Sequence, residues 1–166
     1  PDLINEKKRI YLKMGNVDKA AAEVNKLIKA DPSLQSYSML VDLYQANGMQ
    51  DKAYEAIQKM VEIDASSAMT CFALSDYYRT KGEKEKSFEQ LKKAFAADDA
   101  TAELKMQVLT SYIPLVRSSD ELRAQAVELA KILTETEPSF PMGHIIYGDF
   151  LYQDNQFENA RKEYRI

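Results

Sequence analysis

The chain has 166 residues, 45% of them hydrophobic, and a formal net charge of −4. This length and composition are those of one folded domain rather than a disordered segment. A single cysteine excludes an intrachain disulfide, and a single histidine excludes most metal centres and acid–base pairs. The acidic net charge argues against a nucleic-acid partner. No apolar stretch approaches the roughly 18 residues of a transmembrane helix, so we predict no membrane span in this chain.

Tyrosines recur at a nearly constant interval along the chain. Tyr11, Tyr44, Tyr78 and Tyr112 are separated by 33, 34 and 34 residues. A glycine follows each of the first three tyrosines after four residues, and a small residue follows each of them after nine residues. An aspartate closes each of these units. These residues are Gly15, Gly48 and Gly82, then Ala20, Ala53 and Ser87, then Asp31, Asp64 and Asp98. A fixed period of this length indicates a repeat protein.

Each period predicts two helices. In the first unit, Asp31 and Pro32 are typical of a helix start, with the acid as N-cap and the proline at the first helical position. In the second unit, apolar residues at helical spacing predict a helix over residues 34–46, which Gly48 ends as a left-handed C-cap. The next helix starts near Asp51. Its predicted buried residues are Ala53, Ile57 and Met60.

This set of spacings resembles the tetratricopeptide repeat, a 34-residue helix–turn–helix unit. The resemblance covers the whole chain, as repeats at about 1–33, 34–67, 68–101 and 102–140 and a truncated fifth at 141–166. It implies an all-α fold, a right-handed superhelix, or α-solenoid, of stacked repeats in a single array. The sequence is most similar to bacterial members of the family, which is compatible with either the periplasmic side of the cell envelope or the cytoplasm.

The fourth unit is irregular. Fitting both of its halves to the repeat requires five extra residues between Tyr112 and Ala126. Pro114 is expected to kink or end the first helix, and Ser118 with Glu121 predicts a capping box at the start of the second. The extra residues are either a tolerated loop insertion or a bend that reshapes the groove. Because the fifth unit is truncated and no polar capping helix follows, we expect the chain to be part of a longer protein.

The sequence predicts no catalytic residues. His144 and Cys71 both occupy repeat position 4, where the family packs a large side chain, so we expect His144 to be in the core or partly buried and Cys71 to be buried. No glycine-rich phosphate loop and no Ser/His/acid grouping is present. We therefore predict no enzyme activity, no cofactor and no metal site. No basic stripe runs along the units, which again argues against nucleic acid.

The first helix of each pair lines a concave groove in the tetratricopeptide family, and the resemblance implies that repeat positions 2, 5, 9, 12 and 13 face a ligand there. Position 9 is an aspartate in three units. The candidate groove residues are Asp42, Gln45, Met69, Phe72, Asp76, Arg79, Met106, Met142, Ile145, Asp149 and Tyr152. In one interpretation they form an acidic, methionine-rich surface. In the other, the aspartates pair within the chain, as Asp76 could with Arg79, and neighbouring repeats cover the apolar residues.

The functional prediction follows from the family. The resemblance implies a non-catalytic scaffold or adaptor that binds a polypeptide segment in its groove, and an acidic groove suits a segment with Lys or Arg beside a large apolar residue. One alternative is a structural spacer region of a larger envelope protein, with no groove ligand of its own. Another is a binding module for a non-protein ligand.

Overall fold

The computed structural model describes residues 2–166, with side chains from residue 3 onward. Within this range the chain forms ten α-helices and no strand, which confirms the predicted all-α repeat fold. The helices are α1 (Asp2–Lys13), α2 (Val17–Ala30), α3 (Leu34–Ala46), α4 (Gln50–Asp64), α5 (Ala68–Thr80), α6 (Lys84–Ala96), α7 (Ala102–Tyr112), α8 (Asp120–Thr136), α9 (Pro141–Gln153) and α10 (Phe157–Glu163). The predicted start of the first repeat, at residue 1, lies outside the described residues.

The chain divides into two compact units, Pro1–Gln90 and Leu91–Ile166. In the first unit, α1 packs against α2 and α3 against α4, while α2 and α4 also contact the first helix of the next pair. In the second unit, α7 packs against α8, α8 against α9, and α9 against α10. Within each unit most of the packed helices are neighbours in sequence, which is the local connectivity of stacked helical repeats.

Four of the helical hairpins are closed by the same three-residue turn, at residues 14–16, 47–49, 81–83 and 154–156. Gly15, Gly48 and Gly82 adopt left-handed φ values between 68° and 76°. The next backbone N–H donates to the carbonyl of the tyrosine four residues before each glycine, at 2.8–2.9 Å. This bond satisfies a free carbonyl at the helix end, as in a Schellman motif, and confirms the predicted C-cap. In the last hairpin Asn155 takes the glycine position, with φ 61°.

A small residue is buried where the two helices of a hairpin approach. The residues at this repeat position are Ala20, Ala53, Ala126 and Ala160, all fully or almost fully buried. In the α5–α6 hairpin Ser87 replaces the alanine, and its Oγ donates to the carbonyl of Ser75 at 2.8 Å. Ile57 and Met60 are buried beside Ala53, as predicted.

A lysine lies over the repeated tyrosine in three hairpins. The Nζ atoms of Lys19, Lys52 and Lys86 are 5.7, 5.6 and 5.5 Å from the ring centroids of Tyr11, Tyr44 and Tyr78. At exposed sites such cation–π contacts contribute about 0.5–1 kcal/mol each. The tyrosine-to-lysine spacing of eight residues is present in the sequence but was not among the predicted contacts.

The predicted helix start at Asp31 and Pro32 is wrong. Asp31 instead ends α2 as its C-cap, with its backbone N–H donating to the carbonyl of Leu27. Ser33 is the N-cap of α3, and its Oγ accepts from the N–H of Ser36. The physical reason is that a residue before proline is driven out of the helical region, and Asp31 is extended, with φ −146° and ψ 94°.

The connection between α7 and α8 differs from the other hairpin turns because it spans residues 113–119. Helix α7 ends at Tyr112, just before Pro114, as predicted. The predicted capping box is wrong by one residue, since Ser119 is the N-cap of α8 and accepts from the N–H of Leu122 at 3.2 Å. Ser118 does not cap α8, and its Oγ instead donates to the carbonyl of Leu115 in the preceding turn.

Replacing the turn glycine of the second hairpin is expected to destabilise the protein. Gly48→Ala places a Cβ on a left-handed residue, which costs about 1–2 kcal/mol. Gly48→Asn should cost less, because asparagine already occupies the equivalent position at Asn155. The measurement is urea unfolding followed by circular dichroism. Equal stability of the wild type and Gly48→Ala would contradict this role of the turn.

Candidate functional site

Six of the predicted groove residues lie in the first unit, along one stripe of α3 and one stripe of α5. Residues spaced by three or four lie on the same side of a helix, and α3 and α5 contact each other, so the two stripes adjoin. We call this surface the α3–α5 face. Its residues are Asp42 and Gln45 on α3, with Met69, Phe72, Asp76 and Arg79 on α5.

Two carboxylates influence each other on this face. Partial burial raises the pKa of Asp42 above its ordinary value, the charge of Lys8 on α1 lowers it, and the charge of Asp76 raises it further. The side chain of Asp42 is nevertheless exposed to solvent. The two aspartates therefore lie close enough for their negative charges to repel, on a surface that an external cation can reach.

Asp76 is paired within its own helix. The Nε of Arg79 donates to Asp76 Oδ1 at 3.1 Å, and a second guanidinium nitrogen donates to the same oxygen. In the free protein Asp76 is therefore paired within the chain, as the second of the two interpretations of the groove residues predicts. Since both side chains are largely exposed, the pair is of the kind that contributes little, about 0–1 kcal/mol.

The remaining residues of the α3–α5 face are half-buried. Gln45 carries a buried side-chain nitrogen that has no hydrogen-bond partner among the described residues. Met69 packs against the core of the first unit, and Phe72 is partly covered. The apolar part of the face is therefore shared between internal packing and the surface.

The other predicted groove residues lie in the second unit. Met106 on α7 is half-buried, whereas the four on α9 are exposed: Met142, Ile145, Asp149 and Tyr152. Asp149 is not free, because its carboxylate accepts from the hydroxyl of Tyr164 on the far side of the α9–α10 turn, at 2.7 Å. Burial, followed by this bond, raises the pKa of Tyr164 to about 12.

A cleft with a volume of about 240 Å³ lies between the long α7–α8 connection and the last turns of α9. We call it the Arg117 cleft. Its lining includes the predicted Asp149 and Tyr152 together with Ile113, Arg117, Ile146, Phe150 and Gln153. Sequence reasoning missed the other five residues, Ile113, Arg117, Ile146, Phe150 and Gln153. The available signal was the irregular spacing after Tyr112, which marked the connection without showing what it packs against.

His144 is buried, as predicted, but is not merely a packed ring. Its Nδ1 lies 2.7 Å from the carboxylate of Glu163 on α10, and its Nε2 lies 3.0 Å from the carbonyl of Pro138. Both partners are acceptors, so both bonds form only when both ring nitrogens carry protons. The bond to Glu163 raises the pKa of His144 above its ordinary value. Cys71 is also buried, as expected.

A larger cavity of about 540 Å³ lies where the α6–α7 and α8–α9 connections meet within the second unit. Its lining is acidic, with Asp98, Glu103 and Glu137 among its residues. Lys105, only 1% exposed, lies beside it and donates from Nζ to Thr136 Oγ1 at 3.0 Å, with Glu137 3.6 Å away. Among the described side chains, no group of His, Cys, Asp and Glu has the arrangement of a metal site.

The recurring hairpin, with its left-handed turn residue, tyrosine and buried small residue, defines a helical repeat protein of the α-solenoid class. The tetratricopeptide repeat pattern matches residues 9–34, 34–67 and 69–101, which is more than half of the chain. The chain belongs to the tetratricopeptide repeat family. This membership supports a protein–protein interaction scaffold in general. No helix in the described part of the chain is both long and apolar enough to cross a membrane.

Solved structures share this fold. PilF of Pseudomonas aeruginosa is 22% identical, with a TM-score of 0.58, over 99% of this chain and 73% of that chain. MamA is 21% identical, with a TM-score of 0.54, over 95% of this chain and 90% of that one. The type IV pilus biogenesis factor PilW is 19% identical, with a TM-score of 0.56, over 99% of this chain and 77% of the PilW chain. At these identities the likeness is one of fold. No curated protein matches the chain.

The His144 contact makes the stability of the last hairpin depend on pH. The pKa of His144 in the folded state lies above the ordinary value of 6.5. The stabilisation by this contact is therefore complete below pH 6.5 and is lost as the pH rises through the folded-state pKa. Since the sequence has one histidine, its ring signals in NMR titrations need no assignment. We expect a pKa above 6.5 that falls in Glu163→Gln and is unchanged in the control Glu158→Gln. An unshifted pKa in the wild type would contradict this contact.

Proposed function

We propose that this protein is a non-catalytic interaction scaffold whose α3–α5 face binds a polypeptide segment carrying Lys or Arg beside a large apolar residue. The observation that carries the proposal is that Asp42 and Asp76 lie on the contacting helices α3 and α5, at a surface that solvent reaches, where the charge of Asp76 raises the pKa of Asp42. A cationic side chain placed near both would relieve their repulsion. Such charges mainly give specificity and faster association.

The polar and apolar neighbours of the two aspartates support a peptide as the ligand. The unpartnered nitrogen of Gln45 is a hydrogen-bond donor, and a buried donor without a partner costs about 1–3 kcal/mol. A peptide carbonyl would satisfy it once the half-buried Gln45 side chain turns outward. The exposed parts of Met69 and Phe72 supply an adaptable apolar surface next to the charges.

A structural spacer without a groove ligand is the second candidate function. It is favoured by the two aspartates that already have partners, Asp76 with Arg79 and Asp149 with Tyr164. In this alternative the charges on the first helices of the repeats only stabilise the fold and keep it soluble. The two candidates differ in whether a basic peptide finds a saturable site.

The test is an NMR titration of the labelled protein with the basic peptide acetyl-Gly-Lys-Phe-Lys-Gly-amide and the acidic peptide acetyl-Gly-Glu-Phe-Glu-Gly-amide. The basic peptide is expected to shift the amide signals of α3 and α5, with an affinity that falls as salt is added. Asp42→Asn with Asp76→Asn should weaken it about 3- to 10-fold, the size expected for one or two exposed ion pairs. Bound cations should also lower the pKa of Asp42.

The matched control is Asp51→Asn, an exposed aspartate in the first turn of α4. It removes the same charge from the same unit without touching the α3–α5 face, so affinity for the basic peptide should be unchanged. Equal weakening by the control would indicate a general charge effect. Absence of any saturable shift on α3 and α5 with a folded protein would favour the spacer.

A further inference from the structure

We propose that copies of this protein associate end to end, with the first hairpin of one copy packing against the α9–α10 hairpin of another. The partner is therefore a second copy of this chain. The contact goes beyond the proposed function, because it does not use the α3–α5 face. The residues that meet are Leu3, Ile10 and Lys19, which we call the α1 edge, and Phe157, Glu158 and Tyr164, which we call the α10 edge.

The α1 edge exposes apolar side chains at repeat positions that later helices bury. Leu3 and Ile10 occupy positions 3 and 10 and are 68% and 51% exposed. In α3 the same positions are Ser36 and Leu43, which are buried, and α3 packs against α2 of the hairpin before it. Position 3 of α5 is the fully buried Thr70, and α5 packs against α4 in the same way. Within the described residues no hairpin precedes α1, so its apolar stripe is the surface on which another hairpin would stack.

The α10 edge exposes two aromatic rings at repeat positions that the first hairpin covers. Phe157 and Tyr164 occupy positions 17 and 24 and are 53% and 48% exposed. In the first hairpin the same positions are Val17, which packs against the core of the first unit, and Val24, which is fully buried in it. That core includes residues of α3, the helix that packs against α2. A first helix stacked on α10 would therefore cover these rings and remove apolar surface from water on both sides.

An ion pair between two stacked hairpins of this chain shows which charges such a contact brings together. Lys52 on α4 donates from Nζ to Oδ1 of Asp18 on α2, in the hairpin before it, at 3.1 Å. Asp18 lies two residues and Lys52 one residue before the buried alanine of its own hairpin. At the two edges the same positions are Glu158 and Lys19, and both side chains are exposed. Stacking the first hairpin of one copy on the last hairpin of another would repeat this ion pair between Glu158 and Lys19.

Both halves of the contact are on one chain, which is why a second copy is the partner. The two edges supply apolar surface and opposite charges at the positions that the chain's own stacked hairpins use. Charges placed in this way mainly give specificity and fix the register of the contact. The two edges differ from each other, so the contact is heterologous, and association continues beyond two copies unless the copies close into a ring.

The test is sedimentation velocity of the full chain over roughly 10 µM to 1 mM, a range that includes the weak affinities of small interfaces. The mean mass of the wild type is expected to rise with concentration. Lys19→Glu and Glu158→Lys each place like charges at the contact and should weaken self-association about 3- to 10-fold. An equimolar mixture of the two variants should associate more tightly than either variant alone. In the mixture one contact pairs the natural Glu158 with the natural Lys19, and the other pairs the two substituted residues.

Matched controls separate the edges from the rest of the surface. Lys29→Glu reverses an exposed charge in the last turn of α2 and should leave association unchanged. Ile10→Ser combined with Phe157→Ser removes apolar surface from both edges and should weaken association about 10-fold or more. Ile63→Ser changes a comparably exposed side chain of α4, 45% exposed, and should have no effect.

Each outcome decides one part of the proposal. A wild type that stays monomeric over the whole range would overturn it. Association that the edge variants leave unchanged, or that the controls weaken equally, would overturn the two edges as the contact. A mixture that associates no more tightly than its components would overturn the pairing of Glu158 with Lys19. None of these variants changes the α3–α5 face, so the basic-peptide titration tests the proposed function separately. Circular dichroism checks that each variant is folded.

Discussion

The close approach of two helices at one small residue is the constraint on which each hairpin depends. Ala20, Ala53, Ala126 and Ala160 have almost no exposed surface, and a larger side chain at these positions would force the helices apart. The third hairpin meets the same constraint with Ser87, whose hydroxyl group is satisfied by Ser75. Neither helix of a pair can bury its apolar stripe alone, so this contact and the stacking of successive pairs together build the core.

The turn that precedes this contact is equally restricted. A left-handed residue and a backbone bond to the preceding tyrosine reverse the chain in three residues. The fourth hairpin lacks that turn because Pro114 follows the end of α7 and a longer connection must lead to α8. The departure from the repeat is where the chain gains Ile113 and Arg117 beside α9.

Charge is distributed differently in the two units. On the α3–α5 face each aspartate has a cation nearby, since Asp76 pairs with Arg79, and Asp42 is influenced by the charge of Lys8 as well as by that of Asp76. In the Arg117 cleft a cation and an anion lie together, since Arg117 and Asp149 both line it and the neutral hydroxyl of Tyr164 leaves the carboxylate of Asp149 charged. Asp42, Asp76 and Asp149 all occupy position 9 of the repeat, yet the side chains that surround them differ. A recurring residue is therefore not by itself a recurring binding site.

The sequence by itself determined the helices, their pairing and the turns, because helical spacing, the glycine C-cap and the small residue nine positions after each tyrosine act over short distances along the chain. It also indicated the pair of Asp76 with Arg79, which are one helical turn apart. Only the tertiary structure decided that Asp149 accepts from Tyr164, that His144 contacts Glu163, and that Arg117 and Tyr152 line one cleft. These contacts join side chains on different elements, and no spacing within a single helix specifies them.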